Sequence, residues 1–413
     1  MDRRVGLWTL LVLNTAPLFA AGSLLATYDN PQVFFWTAAL YALTWTVQEE
    51  RQAGWYLVGV LVGLGSLCKL TMLLFAPCAL IFLLLTPSYR RWLRTPHPYL
   101  AFLIAVLFFA LVVYWNAGHD WVNLRHTMAL TTGRTRNAAP FRWFGDFLGG
   151  QAGLLGPFVF LAELYVLIRL AKPWPDLSDT ARRFLGSFGA PIFVLCLAMS
   201  LRSKLESNWP APTHIAALMA VAAWLCGPGW RSEARRRTAR ILLLTTGALL
   251  SVLIFFPEIL PAVGIHPNSN LAQKLNEPYG WPVIAARVQE ERDALSKHGA
   301  PVFVAGTNYR VNSILAFYLE AQPETVALYL GTRRDAYWFW TDSAAHVGEN
   351  AVLVTSESAP EVAALAGQVF DRVEEAPPAR VTRPGFAGVV KEWHIYRCYR
   401  FHGYAPERYV SGY

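Results

Sequence analysis

The feature that most constrains this chain is a series of long apolar runs that fills its first 261 residues. A helix needs roughly 20 mostly apolar residues to cross a bilayer, and shorter runs suffice inside a bundle. Only 15% of the residues are charged, against about 25% in a typical soluble domain. The sequence therefore predicts an α-helical polytopic membrane bundle with about nine spans, at 7–26, 32–47, 54–68, 70–86, 99–116, 151–171, 184–200, 210–226 and 241–261.

Two of these runs need separate comment. The third and fourth meet at Lys69, and a single helix over both would be about 50 Å long, against a hydrocarbon core of about 30 Å. We therefore expect a tight reversal near Lys69. The first run is too long for the apolar part of a signal peptide and leads directly into further runs, so we expect a retained helix.

The distribution of Lys and Arg predicts the orientation. If the N-terminus lies in the cytoplasm, the cytoplasmic loops carry about twice as many Lys and Arg residues as the opposite loops. The net charge of +8 comes largely from these short clusters between apolar runs, so we expect no nucleic-acid partner. This orientation places the C-terminal region on the outer side.

The C-terminal region has the pattern of a small α/β soluble domain, which sets the predicted domains at 1–264 and 265–413. Buried-strand patterns alternate with helical ones and predict a parallel or mixed sheet. The predicted elements are strands at 301–306, 351–355 and 389–401 and helices at 311–319 and 361–369. No glycine-rich phosphate loop occurs here, so a nucleotide site is unsupported.

Polar residues in the outward turns form the candidate site. Asp29 lies in the turn 28–31, where it either caps the next helix or takes part in chemistry. Lys69 between two apolar runs either reaches the interface with its ammonium group or meets an anion such as a lipid phosphate.

Two later outward loops add to this set. The loop after the fifth run begins with His119 and Asp120 and carries Arg125, Arg134, Arg136 and Arg142, against the usual charge bias. The turn 201–210 contains Arg202, Lys204, Glu206 and Asn208, and a solvated loop is the alternative interpretation. Arg and Lys suit phosphate recognition, and the acids suit a metal or a hydroxyl.

Four short motifs in this order resemble the bacterial C-type glycosyltransferases, the family-39-like and aminoarabinose-transferase-like relatives of protein O-mannosyltransferases. The motifs are Tyr28-Asp-Asn-Pro31, the run 63–69 ending at Lys69, the segment 116–121 and the segment 202–210. The resemblance covers essentially the whole chain. It implies a multi-pass bacterial inner-membrane protein with a periplasmic C-terminal domain.

The resemblance also implies an activity, which is transfer of a glycosyl unit from a polyprenyl-phosphate-linked donor to a lipid, glycan or protein hydroxyl. Asp29 matches a second acidic position of the outward site, Lys69 matches a lysine associated with the donor phosphate, and the later loop residues match positions that line the cavity. Family members carry a further span and an acidic loop with the presumed catalytic base before the point where this chain starts. We therefore expect little turnover from the chain as written.

Two other functions stay open on the sequence alone. One is a non-catalytic lipid-phosphate binder or partner subunit, which keeps the cavity without the base. The other is a secondary transporter, although no inverted repeat supports it. A divalent metal also stays open as a cofactor, since the scattered acids define no coordination geometry. The sequence does not reveal the sugar, the acceptor, the oligomeric state or the role of the C-terminal domain.

Overall fold

The computed structural model of the chain describes residues 2–25, 27–132, 141–266, 269–297, 299–330, 335, 337–356 and 359–403. The chain divides into two compact units, Met1–Phe255 (unit 1) and Phe256–Tyr413 (unit 2). Unit 1 is helical, and unit 2 combines helices with one sheet. The predicted order, a helical bundle followed by a small α/β domain, is confirmed at this level.

Unit 1 contains thirteen α-helices within its described residues: α1 (Arg3–Thr15), α2 (Pro17–Ala20), α3 (Asp29–Gln48), α4 (Gly54–Cys68), α5 (Phe75–Leu85), α6 (His97–Ala117), α7 (Val122–Thr132), α8 (Arg142–Leu155), α9 (Pro157–Leu170), α10 (Asp179–Gly189), α11 (Pro191–Ser200), α12 (Ala211–Cys226) and α13 (Glu233–Phe255). Three 3-10 helices, Gly22–Leu24, Leu70–Leu74 and Pro87–Arg94, lie between them. At the centre the rings of Trp36, Phe75 and Phe188 pack together, with centroids 4.9 to 6.1 Å apart.

Three helical segments among the described residues are long and apolar enough to cross a membrane: His97–Ala117, Asp179–Ser200 and Glu233–Phe255. Two further pairs, Arg3–Thr15 with Pro17–Leu24 and Arg142–Leu155 with Pro157–Leu170, pass only as bent pairs. Large apolar side chains on α6, among them Phe102, Leu107 and Tyr114, are exposed, as lipid-facing residues would be. Unit 1 is therefore a multi-pass bundle, and the predicted number of nine spans is not confirmed.

The bent pairs correct two sequence predictions. The runs 7–26 and 151–171 were each predicted as one helix, but the first bends by 74° and the second by 109°. Pro17 and Pro157 each begin the second helix of a pair, and proline disfavours helical backbone in the residue before it. Gly156, between the two helices of the second pair, has a φ of +91°, a backbone conformation that residues other than glycine rarely adopt.

Close packing of α4 against α6 positions the candidate site. A Cβ atom at Gly59 would lie 2.5 Å from the carbonyl oxygen of Ala101, and one at Gly63 would lie 2.5 Å from the ring of Phe108. Small residues therefore let the two helices approach, as is common in membrane bundles. Helix α4 ends at Cys68, and Lys69 is extended, with φ −156° and ψ 135°. The helix thus ends just before Lys69, as the predicted reversal requires.

Unit 2 contains five α-helices and five strands in its described residues: α14 (Asn270–Asn276), α15 (Trp281–Ser296), α16 (Tyr309–Tyr318), α17 (Tyr337–Trp340), α18 (Ala359–Ala366), β1 (Val302–Gly306), β2 (Thr325–Ala327), β3 (Asn350–Thr355), β4 (Phe370–Thr382) and β5 (Val389–Phe401). Two 3-10 helices, Pro257–Val263 and Ser343–His346, complete it. The strand order is β2-β1-β3-β5-β4. Strand β1 is parallel to β2 and β3, and β5 is antiparallel to β3 and β4, so the sheet is mixed.

Both faces of this sheet are covered, because successive side chains of a strand point to opposite faces. Val304 and Val352 pack in one cluster with α15 and α16, and Phe303 and Leu353 pack in another with α18. Strands β2 and β4 were not predicted from the sequence.

Strand β4 contains Pro377 and Pro378, and proline inside a run of residues argues against a central strand. Its pairing with β5 shifts register between Ala376 and Ala379, at these prolines. Strand β4 also lies at the edge of the sheet, where missing N–H donors are tolerated.

Candidate functional site

The centre of the candidate site is an ion pair between two helix ends of unit 1. Lys69 Nζ lies 2.5 Å from Asp29 Oδ1, and the two side chains are only 13% and 20% exposed. Asp29 is the first residue of α3, where a negative charge is favourable, and no side-chain hydrogen bond caps this helix. The carboxylate of Asp29 therefore faces Lys69 rather than capping α3.

A third segment contacts the same carboxylate. Asn208 belongs to the 201–210 loop between α11 and α12, and its Nδ2 donates to Asp29 Oδ2 over 2.9 Å. Both oxygens of Asp29 thus have a partner. The ammonium group of Lys69 lies 5.3 Å from the ring centroid of Tyr28, close enough for a cation–π contact.

Lys69 also lies in the wall of a half-open cavity of about 590 Å³, called here the Lys69 cavity. A lysine ammonium has three N–H donors. In the described part of the chain, only the one bond to Asp29 uses them. The cavity is lined by Tyr28, Ser66, Leu67, Cys68, Lys69, Leu70, Thr71, Phe109, Val112, Val113, Asn116, Trp121, Asn123, Leu124, His126, Thr127 and Trp209. An anion in this cavity would meet a cation with N–H donors to spare.

The other predicted site residues after α6 do not line the cavity, and the predicted loop contains helix α7, which carries Arg125. His119 stacks on Trp115 with centroids 4.0 Å apart, and its Nδ1 lies 2.7 Å from the Trp115 carbonyl oxygen. Asp120, with a positive φ of 53°, and Arg125 are exposed. Arg134 and Arg136 lie outside the described residues.

The remaining predicted residues belong to the 201–210 loop. Arg202, Lys204 and Glu206 are exposed, and none of them lines the Lys69 cavity. From this loop Asn208 reaches the ion pair, and Trp209 lines the cavity. The structure thus brings together Asp29, Lys69 and Asn208 from the predicted set.

Comparisons with known proteins give the context of this geometry. Residues 1–115 match the family described as dolichyl-phosphate-mannose-protein mannosyltransferase. The chain is similar to lipid A galacturonosyltransferase RgtD of Rhizobium johnstonii, with 28% identity over 272 residues, which are 65% of this chain and 54% of that protein. The chain thus spans about half the length of this curated relative.

A solved structure extends the similarity to nearly the whole chain. The crystal structure of ArnT from Cupriavidus metallidurans bound to undecaprenyl phosphate matches with a TM-score of 0.55 and 15% sequence identity. The match covers 95% of this chain and 79% of that chain. The chain has the C-type glycosyltransferase fold. The resemblance inferred from the four motifs is confirmed.

Further polar contacts lie near the predicted residues. Asn116, which begins the motif 116–121, orients the turn after α6, because its Oδ1 accepts from the backbone N–H of Asn123 at 3.2 Å. Gln32 donates to Thr71 Oγ1 at 2.5 Å and ties α3 to the segment after Lys69. Gln32 was not predicted as a site residue. It follows Asp29 by about one helical turn and is a polar residue at the start of the apolar run 32–47, which was the available signal.

Three further polar side chains, Gln151, Glu163 and His214, are fully buried in unit 1 and were also missed. Each interrupts an apolar helix, and polar residues in such positions are costly and often functional. The described residues include no group of three or more His, Cys, Asp or Glu side chains placed to hold a metal ion. The divalent metal with Asp29 stays a prediction.

Proposed function

We propose that this chain binds a polyprenyl-phosphate-linked sugar at the Lys69 cavity and takes part in glycosyl transfer to a lipid, glycan or protein hydroxyl. The observation that carries the proposal is Lys69, whose ammonium group lines the cavity and uses one of its three N–H donors on Asp29 within the described residues. Lysine is a common phosphate ligand, and a phosphate oxygen accepts such donors well.

The comparisons support the choice of ligand. The similar solved protein is bound to undecaprenyl phosphate, and the similar curated protein acts on lipid A. A polyprenyl phosphate places its charge at the membrane surface, which suits a lysine at the end of an apolar helix such as α4. We place the protein in the inner membrane with the cavity on the periplasmic side, in accordance with the charge bias of its loops.

The residues take the following roles in this proposal. Lys69 contacts the donor phosphate, and Asp29 holds the lysine at the cavity wall and orients the acceptor hydroxyl. Asn208 fixes the second oxygen of Asp29. The exposed cations Arg125, Arg202 and Lys204 draw the anionic head group towards the cavity.

A transfer assay tests this function. The purified chain in liposomes receives a mixture of polyprenyl-phosphate-linked sugars and an acceptor lipid extract, and mass spectrometry detects the glycosylated product. We expect transfer to fall at least tenfold in Lys69→Ala and in Asp29→Asn. Lys172→Ala removes an exposed lysine of unit 1 as a matched control and should leave transfer unchanged. Unchanged transfer in both site variants would refute the assigned roles.

A second candidate function is binding of the lipid phosphate without transfer. It is favoured by the contacts of Asp29, whose two oxygens each already accept a hydrogen bond, one from Lys69 and one from Asn208. None of the described residues that line the cavity is a carboxylic acid. Binding of undecaprenyl phosphate without product in the same liposomes would select this function.

A further inference from the structure

A chain of buried hydrogen bonds connects the interior of unit 1 to the 201–210 loop. Gln151 on α8, Glu163 on α9 and His214 on α12 are fully buried. His214 Nδ1 lies 2.8 and 3.0 Å from the two oxygens of Glu163, and His214 Nε2 lies 3.0 Å from Gln151 Oε1. Gln151 Nε2 then donates to the backbone carbonyl of Ser207 at 2.7 Å. A chain of hydrogen bonds that involves three helices thus ends at Ser207, the residue that precedes Asn208.

The Ser207 carbonyl sets the direction of this chain. A carbonyl oxygen only accepts hydrogen bonds, so it must face the Nε2 amide group of Gln151. Gln151 Oε1 therefore faces His214 and only accepts, which requires a proton on His214 Nε2. At His214 Nδ1, one further proton shared with Glu163 completes the chain, whether it resides on the ring or on the carboxyl group.

Loss of that shared proton would break the chain. Glu163 would then be a carboxylate, and the imidazole would keep one proton for two acceptors, Glu163 on one side and Gln151 on the other. An unsatisfied acceptor in a fully buried position is expensive. The Glu163–His214 pair is therefore held as an overall neutral unit that presents an N–H group to Gln151.

A second contact between α8 and the 201–210 loop involves Gly150 and Ser207. Gly150 precedes Gln151, and a methyl group at Gly150 would overlap Ser207 Oγ. Helix α8 thus contacts Ser207 in two ways. Gln151 donates to the carbonyl oxygen of Ser207, and the absence of a side chain at Gly150 leaves room for the Ser207 hydroxyl group. The next residue, Asn208, donates to Asp29, which pairs with Lys69.

We propose that Gln151 is a positioning residue: held by the Glu163–His214 pair, it fixes the 201–210 loop through Ser207 so that Asn208 holds Asp29 against Lys69. This inference rests on the proposed function for its consequence, because the positioned group is the proposed anion site. Its structural part, a coupling from the buried pair to the loop, is measurable without any transfer.

Hydrogen exchange of the full chain in detergent micelles measures the coupling in the peptide that spans the 201–210 loop. Gln151→Met removes both hydrogen bonds at similar volume, and we expect exchange in the loop to accelerate about tenfold, the scale for a lost buried hydrogen bond. Glu163→Met should have a similar effect. Glu163→Gln should stay within twofold of the wild type, since its amide can donate to His214 Nδ1 and keep the chain intact.

A buried polar residue outside the chain provides the control. Thr46 is fully buried, and its hydroxyl donates to Ala42 O within α3, so Thr46→Val should leave the loop within twofold of the wild type. If Gln151→Met does not fold, Gly150→Ala is the second variant. Its methyl group would displace Ser207 while the Glu163–His214 pair stays intact, and we expect the same acceleration.

Binding of undecaprenyl phosphate, read by native mass spectrometry, tests the consequence. Gln151→Met should weaken binding about tenfold in the wild-type background and should have no further effect in Asn208→Ala, because Gln151 acts through Asn208. Unchanged loop exchange in Gln151→Met, equal effects of Glu163→Gln and Glu163→Met, or an undiminished effect in Asn208→Ala would each overturn the inference. A wild-type chain that neither binds nor transfers the lipid refutes the proposed function, and the exchange data still decide the coupling.

Discussion

The two units differ in how they satisfy a buried carboxylate. In unit 2, Glu291 is only 2% exposed and accepts from two guanidinium groups, those of Arg287 and Arg397. In unit 1, Asp29 accepts from one ammonium group and one amide group, those of Lys69 and Asn208. Lys69 also lines a cavity. Glu291 is satisfied by the protein itself, whereas Lys69, which pairs with Asp29, keeps N–H donors for the proposed ligand.

The largest effect that this comparison predicts is on the stability of unit 2. Glu291→Gln removes the charge between two arginines and should lower the free energy of unfolding by about 2 kcal/mol, less than for a fully buried pair because both guanidinium groups reach solvent. The buried Cys398 in β5 reports unfolding of unit 2, through pulse alkylation in increasing denaturant and mass spectrometry of its peptide.

The neighbouring residue gives a matched control for this measurement. Glu290 also pairs with Arg287, but its side chain is 69% exposed. Glu290→Gln should therefore change stability by less than about 0.5 kcal/mol, as exposed ion pairs do. Equal losses in the two variants would remove the distinction between buried and exposed carboxylates in unit 2.

In unit 1 the corresponding change should act on binding. Asp29→Asn removes the carboxylate that holds Lys69 at the cavity wall. We expect affinity for undecaprenyl phosphate to fall about threefold to tenfold while unit 1 loses about 1 kcal/mol of stability. Native mass spectrometry gives the affinity. An unchanged or higher affinity would show that Lys69 needs no carboxylate to hold it at the cavity wall.

A further prediction, on pH dependence, concerns Lys391 in unit 2. Burial, with a smaller contribution from the positive charge of Arg310, lowers the pKa of Lys391 to about 8. An unfolded lysine keeps its proton up to about pH 10.4. Between these values the unfolded chain binds more protons than folded unit 2, so the free energy of unfolding rises with pH in this window. Below pH 8 the folded state carries the full destabilisation that comes from burying a protonated lysine.

Lys391→Met tests this dependence in the full chain. Cys398 labelling gives the denaturation midpoint of each protein. The difference between the midpoints of the variant and the wild type should change between pH 7.5 and pH 10. The variant also loses the hydrogen bond from Lys391 Nζ to Glu277 O, and this loss shifts its midpoint by the same amount at both pH values. A difference that stays constant with pH would mean that Lys391 keeps its proton throughout.

Much of the fold was predictable from local patterns. The apolar runs indicated a bundle, the length limit indicated the break at Lys69, and alternation predicted β5 with its observed bounds. Local patterns failed where tertiary structure decides the outcome. The strand through Pro377 and Pro378 depends on its pairing with β5. The bend at Gly156 had a local signal, the step from Gly156 to Pro157, which was not used in the prediction.

The site shows the same division. Asp29, Lys69 and Asn208 were each singled out because they are polar at membrane edges. Their mutual contacts span 40 and 179 residues, and no local spacing encodes them. Glu163 and His214 carried the signal of polar groups inside apolar helices, but only the structure shows that they pair. His119 looked equally suitable on the sequence and instead stacks on Trp115.

Direct binding of undecaprenyl phosphate tests most directly whether Lys69 is the anion ligand of unit 1. The wild-type chain, Lys69→Met and Lys172→Met are compared by native mass spectrometry over a range of lipid concentrations. Lys172 is exposed elsewhere in unit 1, so its variant removes the same charge without touching the cavity. We predict an affinity at least tenfold lower for Lys69→Met and unchanged for Lys172→Met. Equal affinities of all three proteins would contradict the account.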